Sequence, residues 1–170
     1  MKGGCMTLIL RLLKWVPNLF TIGNLLSGVF SIAVNMNSYE RLAALFIFLA
    51  AFFDLFDGKI ARKLKVNSEF GVELDSLADI ISFGVAPAML FHTLSPHSWL
   101  TVLAFMIYPS LGALRLAKFS ANPTVGYFIG LPIPFPALII ALLGMFYYVN
   151  PYLMIILAIL MVSPIRVMKI

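Results

Sequence analysis

The sequence predicts an all-α integral membrane protein with about six transmembrane helices, preceded by a short N-terminal helix lying in the membrane interface. Three observations predict it. The 170 residues are 62% hydrophobic and 11% charged, with a mean hydropathy of +1.01, far from the composition of soluble domains. Six stretches approach the roughly 20 mostly apolar residues that a bilayer crossing takes. Laid out as six spans, the chain puts every Lys and Arg except Arg41 on one side, as the positive-inside rule asks of short cytoplasmic loops.

Residues 1–16 are the expected interfacial segment. Between Met6 and Trp15, Arg11 and Lys14 share a face beside Leu8, Ile9, Leu10, Leu12 and Leu13. A signal peptide is the alternative, disfavoured because no small-residue cleavage pattern follows. Residues 17–170 are expected to form one membrane domain. Its spans read approximately as Pro17 to Met36, Arg41 to Ile60, Gly71 to His92, Trp99 to Ala117, Leu131 to Val149 and Tyr152 to Ile170. Turn-forming or solvent-seeking residues separate them at 35–38, 63–68, 95–98, 120–126 and 150–151. The Pro-rich run from Leu131 to Pro136 calls for a helix packed inward or against a second subunit, because carbonyls freed by proline are costly in lipid. The sixth span is the weakest: Arg166 and Lys169 leave a clean apolar run only from Tyr152 to Ile165, which calls for tilt, snorkelling or a segment cut short.

This layout puts both termini and the second and fourth loops on the cytoplasmic side. The net charge of +5 then records topology and contact with anionic headgroups, and nucleic acid is not an expected partner. Cys5, the sole cysteine, has no internal disulfide partner and no Cys/His neighbours for a zinc site. No repeat, Walker loop or dinucleotide fingerprint is present.

The chemistry is expected at Asp54, Asp57, Asp75 and Asp79. A charge at membrane depth costs about 2.5–3.5 kcal/mol even on lenient insertion scales, so this group needs a cationic partner. Spacings of three (Asp54, Asp57) and four (Asp75, Asp79) put each pair on one helix face, where two facing helices converge all four. The result is a hard-oxygen cage suited to one or two Mg2+ or Mn2+ ions. His92 and His97 fall on the opposite side of the membrane and are not expected as ligands.

Asp54, Asp57, Gly58, Ala61, Arg62, Gly71, Asp75 and Asp79 match every fixed position of a known signature, and by it the chain resembles the CDP-alcohol phosphotransferase family. The resemblance implies a CDP-linked donor, attack by an acceptor hydroxyl on the phosphorus distal to cytidine, and release of CMP. It implies that Asp54, Asp57 and Asp75 ligate metal and that Asp79 reaches the metal edge while serving as the base. It also implies a CDP-binding set of Asn24, Asp54, Gly58, Ala61, Arg62, Gly71 and Ser76. Gly58 and Gly71 would let the nucleotide approach the backbone, and Arg62 would offer a planar fork to phosphate. Lys59, Lys63 and Lys65 read as topology markers.

Flanking runs such as Pro17 to Leu25, Glu73 to Pro87, Gly112 to Phe119 and Gly130 to Pro134 resemble the serine-accepting branch of that family. Ile80 follows the last Asp, where glycerophosphate-accepting relatives tend to carry Lys. The expected reaction is transfer of a phosphatidyl group from CDP-diacylglycerol to L-serine. Arg115 and Lys118 are candidates for the serine carboxylate, with Asn122 and Ser82 nearby, although both cations read equally well as interfacial snorkelling residues. Asn24 and Ser82, as lone polar residues in spans, equally suit hydrogen bonds between helices. Glycerol 3-phosphate or an inositol phosphate is the rival acceptor, and a cation transporter the rival class. Family members of this kind imply a homodimer and contact with membrane lipids.

Overall fold

The computed structural model describes residues 2–64, 68–121, 127–129, 131–163 and 166–168, with side chains over 15–63, 68–121 and 131–163. It is a helical bundle. Helix α1 (Lys2–Met36) passes through Pro17 without interruption, so the interfacial segment and the first span share one helical backbone. A tight turn with Ser38 in the left-handed region (φ 62°) leads into α2 (Glu40–Leu64), which opens on Glu40 and closes on Arg62 and Lys63, each charge matching the helix dipole at its end. The two helices form a hairpin stitched by aromatic pairs, among them Phe20 with Phe56 at 6.1 Å and Phe30 with Phe46 at 5.7 Å.

Ser68 caps α3 (Glu69–Asp79), its hydroxyl accepting from the Gly71 amide. The helix then widens into a π segment over Ile80–Val85 and continues as α4 (Ala86–Leu94). Together these make one rod from Glu69 to Leu94. After α5 (Trp99–Ala121) come two shorter helices, α6 (Pro134–Met145) and α7 (Pro151–Val162), the latter capped by Asn150. Strands β1 (Tyr127–Ile129) and β2 (Arg166–Met168) pair antiparallel, Phe128 opposite Val167.

Trp15–Met36, Glu69–Leu94 and Trp99–Ala121 are long and apolar enough to cross a membrane. Helix α2, at 25 residues, has the length but carries the acidic pair and a basic end. The sixth span departs from expectation. It ends at Val162, and residues 166–168 are extended, because Ser163 precedes Pro164 and adopts ψ 142°, the conformation favoured before proline. The fifth likewise shortens to 12 residues, bounded by its prolines and by Tyr147 at φ 58°. Twelve residues reach about 18 Å, against a hydrocarbon core of about 30 Å.

Alanine recurs in the interior, between larger buried residues such as Ile47, Phe83 and Tyr108, and many large apolar side chains lie on the exterior. Ala43, Ala44, Ala50, Ala86, Ala88, Ala104, Ala137, Ala141 and Ala158 are buried, whereas Leu19, Phe30, Leu45, Phe52, Leu55, Met106 and Ile156 face outward. Lipid tails solvate such side chains, and small residues let helix backbones approach. Along α1 a polar stripe runs inward: Asn18, Thr21, Asn24, Ser27, Ser31 and Asn35 are all buried. Several of its members bond across helices, as Ser31 does to the Ala43 carbonyl at 2.9 Å and Asn35 does in accepting from Thr93 at 3.0 Å, whereas Ser27 bonds to the Gly23 carbonyl of its own helix. Bonds between helices are worth about 0.6 kcal/mol each in membranes.

The tightest approach is Gly28 against the π segment, where a β-carbon would lie 2.7 Å from the Ser82 Cα. Alanine in a helix interior normally gains about 0.5–1 kcal/mol over glycine, but overpacking costs about 1–3. Gly28→Ala is therefore expected to lower the thermal midpoint of the detergent-solubilised protein. An unchanged or raised midpoint would show slack between the helices.

Candidate active site

Two helices bring the acidic residues together. Asp54 and Asp57 project from α2, Asp75 and Asp79 from α3. One carboxylate oxygen from each of Asp54, Asp57 and Asp75 lies within 4.8 Å of the others. Paired charges at 4 Å repel by about 1 kcal/mol in water and about 4 at an intermediate dielectric, so the cluster calls for a compensating cation. The donor set fits one. It is all carboxylate oxygen, the preference of hard divalent ions, and Asp75 Oδ1 is buried without a hydrogen-bond partner.

Hydrogen bonds from α1 hold the margins. The Thr21 hydroxyl donates to Asp57 Oδ2 at 3.1 Å, and Asn24 Nδ2 donates to Asp79 Oδ1 at 3.1 Å. Asp79 stands beside the three-carboxylate cluster, next to Asp54, and is itself buried.

An open cleft of about 1100 Å³ begins at this cluster, lined by Pro17, Asn18 and Thr21, by Asp57, Gly58, Ala61 and Arg62, by Ser68, Gly71, Val72 and Asp75, and by Phe119. Six of the signature residues therefore share one cavity wall. A β-carbon on Gly58 would meet nothing within 4 Å, whereas one on Gly71 would press on Ser68 Oγ at 3.1 Å and Asn18 Oδ1 at 3.3 Å. Arg62 lies back along its own helix, Nε donating to the Gly58 carbonyl at 3.1 Å.

The other sequence candidates separate. Ser76 is off the cleft wall, its hydroxyl donating to the Val72 carbonyl. Asn24 lies behind Asp79 and is wholly buried. Ser82, also wholly buried, donates to the Asn24 backbone carbonyl at 2.9 Å. Arg115 is half-buried within electrostatic reach of Asp79, and its Nε is buried without a hydrogen-bond partner. Lys118 is exposed. Asn122 lies outside the described residues. His92 packs on His97 and Phe105, some 20 Å along the rod from Asp79. Asn18 and Thr21 were not anticipated from sequence, although their spacing from Asn24 in an apolar span was a readable signal.

An acidic cluster suited to divalent cations, opening on a cleft floored by glycine, can receive an anionic, phosphate-bearing substrate through bound metal. Residues 14–165 match the family described as CDP-alcohol phosphatidyltransferase, and the chain belongs to that family. It is 39% identical over 161 residues to the CDP-diacylglycerol--serine O-phosphatidyltransferase of Bacillus subtilis (strain 168), covering 91% of this chain and 90% of that one. Identity to the Methanocaldococcus jannaschii protein of the same description is 38%, over 94% of this chain and 77% of the other. An archaetidylserine synthase of Methanothermobacter thermautotrophicus is 34% identical, over 89% and 68%.

The open space at Gly58 separates stability from binding. Gly58→Ala is expected to leave the thermal midpoint unchanged or raise it, in line with the helix preference of alanine. Gly58→Phe is expected to fill the cleft and weaken binding of CDP about tenfold or more, by calorimetry on the purified protein. Unchanged affinity in Gly58→Phe would place the nucleotide elsewhere.

Proposed function

We propose that the protein transfers a phosphatidyl group from CDP-diacylglycerol to L-serine, forming phosphatidylserine and CMP. The observation that carries this reading is the convergence of the signature residues on one cleft in a chain whose similar relatives are described as serine transferases over most of its length. The site is assigned to the cytoplasmic side, with both termini, on the distribution of basic residues. A homodimer is the assembly proposed for it.

Asp54, Asp57 and Asp75, with Asp79 beside them, would hold two Mg2+ or Mn2+ ions. Bound there, the ions supply the positive charge that lets carboxylates and pyrophosphate share a site and that stabilises an in-line displacement. Gly58 leaves room for the cytidine, Gly71 lets Ser68 and Asn18 close in on the cleft wall, and Arg62 lies within one turn of the cleft floor to meet phosphate. Asp79 takes the proton of the serine hydroxyl as its oxygen bonds to the phosphorus bearing diacylglycerol. The bond from that phosphorus to the CMP oxygen breaks, and CMP leaves with the electron pair. Arg115 is preferred over Lys118 for the serine carboxylate, because it is half-buried within electrostatic reach of Asp79 with its Nε unpartnered, whereas Lys118 is exposed.

Purified protein supplied with CDP-diacylglycerol and a panel of alcohols, read by CMP release, tests the assignment. Serine is expected to be the favoured acceptor. Preference for glycerol 3-phosphate would overturn the acceptor and leave the family chemistry intact. Excess EDTA is expected to abolish CMP release and Mg2+ or Mn2+ to restore it; full turnover in EDTA, with no metal retained by elemental analysis, would remove the ions.

Two variants separate the aspartates. Asp75→Asn is expected to weaken donor binding, whereas Asp79→Asn should lower turnover by roughly 100- to 10,000-fold while the donor still binds. Arg115→Ala is expected to raise the serine KM by roughly 10- to 100-fold, the equivalent of a charge-assisted hydrogen bond, with the donor KM nearly unchanged. Ethanolamine, serine without the carboxylate, is the control: the variant should discriminate against it less than the parent does.

A further inference from the structure

We infer that Asn24 is a positioning residue for Asp79, its side-chain amide fixing the orientation of that carboxylate while Ser82 fixes Asn24. The inference rests on the reading of Asp79 as the base. Asn24 is 0% exposed and is not among the residues lining the cleft, so it does not suit the nucleotide contact that the sequence suggested. Its two hydrogen bonds instead run to either side of the start of the π segment. Nδ2 donates to Asp79 Oδ1 at 3.1 Å, and its backbone carbonyl accepts from Ser82 Oγ at 2.9 Å. Asp79 is the last residue of α3, and the widened turn begins at Ile80. π turns recur at functional sites, and here Asp79 and Ser82, three residues apart on one helix face, both bond to the same residue of α1.

The chemistry of the contact fixes its sense. An ionised carboxylate only accepts, so the amide nitrogen faces Asp79, and Asn24 Oδ1 is left buried without a partner. Burying that oxygen is costly, and a side chain used only for packing would avoid it. The contact constrains the one torsion of Asp79 that is otherwise broad, its χ2. Tying up Oδ1 leaves the other oxygen for the cluster and the acceptor hydroxyl. A base must lie within hydrogen-bond reach of the proton it takes, and small misplacements of reacting groups cost rate steeply.

The test compares Asn24→Ala, Ser82→Ala, Asp79→Asn and the double variant Asn24→Ala/Asp79→Asn in the purified protein. CMP release, calorimetric affinity for CDP and the thermal midpoint are measured for each. Asn24→Ala is expected to lower kcat by roughly 10- to 100-fold, with CDP affinity and the donor KM within about threefold of the parent. In the Asp79→Asn background the same substitution is expected to change the residual turnover little, since Asn24 acts through Asp79. Near-parental kcat in folded Asn24→Ala overturns the inference. So does a loss of CDP affinity in step with kcat, which would return Asn24 to the nucleotide, or a further large loss in the double variant. If Asn24→Ala does not fold, Ser82→Ala decides: lower kcat at unchanged donor KM supports the inference, and unchanged kcat overturns it. Parental turnover in Asp79→Asn would remove the base itself, a failure distinct from that of Asn24 alone.

Discussion

Mutual repulsion among four carboxylates, gathered where water is scarce, is the constraint around which the rest of the bundle is arranged. Asp54, Asp57 and Asp75 present oxygens within 4.8 Å of one another, a grouping that would disperse if each were free to turn to solvent. The fold opposes dispersal with position and with donors. A short-turned hairpin sets α1 against α2, and the rod from Glu69 to Leu94 lies against α1. From that first helix Thr21 and Asn24 each reach one aspartate. These neutral donors steady two members of the group without cancelling its charge, so the cluster keeps its attraction for cations.

The same logic explains why polar residues are concentrated on one face of α1 while alanines recur through the rest of the bundle interior, between larger buried side chains such as Ile47, Phe83 and Tyr108. In lipid, apolar packing brings no solvent-driven gain, so association depends on close backbone approach and on hydrogen bonds between helices. Alanine serves the first need on α2, α4, α5, α6 and α7, and the stripe from Asn18 to Asn35 serves the second. The stripe therefore does two tasks at once: its outer half, with Ser31 and Asn35, ties helices together, and its inner half meets the aspartates.

Much of this was legible in the chain. The intervals between Asp54, Asp57, Asp75 and Asp79 gave the pairing on two helix faces, and apolar runs located the first, third and fourth spans to within a few residues. What was not legible depends on contacts that spacing does not encode. Arg115 and Lys118 are equivalent in charge and three residues apart, yet only the packing around α5 leaves the first half-buried and the second exposed. Asn24 could face a ligand or a neighbouring helix, and its hydrogen bond to Asp79 depends on the position of the α3 rod, which spacing does not encode. The sixth span was over-extended because hydropathy outweighed Pro164, a local stop whose effect at Ser163 is backbone rather than composition. The pairing of Tyr127–Ile129 with Arg166–Met168 joins segments that lie far apart in sequence, beyond any local pattern.

The absence of a side chain at Gly28 also constrains motion. With α1 and the π segment in backbone contact there, and the Ser82 hydroxyl latched to the Asn24 carbonyl one turn away, neither helix can slide along the other without breaking the latch. Displacements that widen the cleft are thereby channelled into tilting about this fulcrum, the hinge rather than the shear mode of helix movement. A fulcrum at the level of Asp79 would leave that carboxylate almost stationary while the rim carrying Gly58, Arg62 and Ser68 swung through the larger arc, so that the mouth of the cleft could widen without disturbing the contact between Asn24 and Asp79.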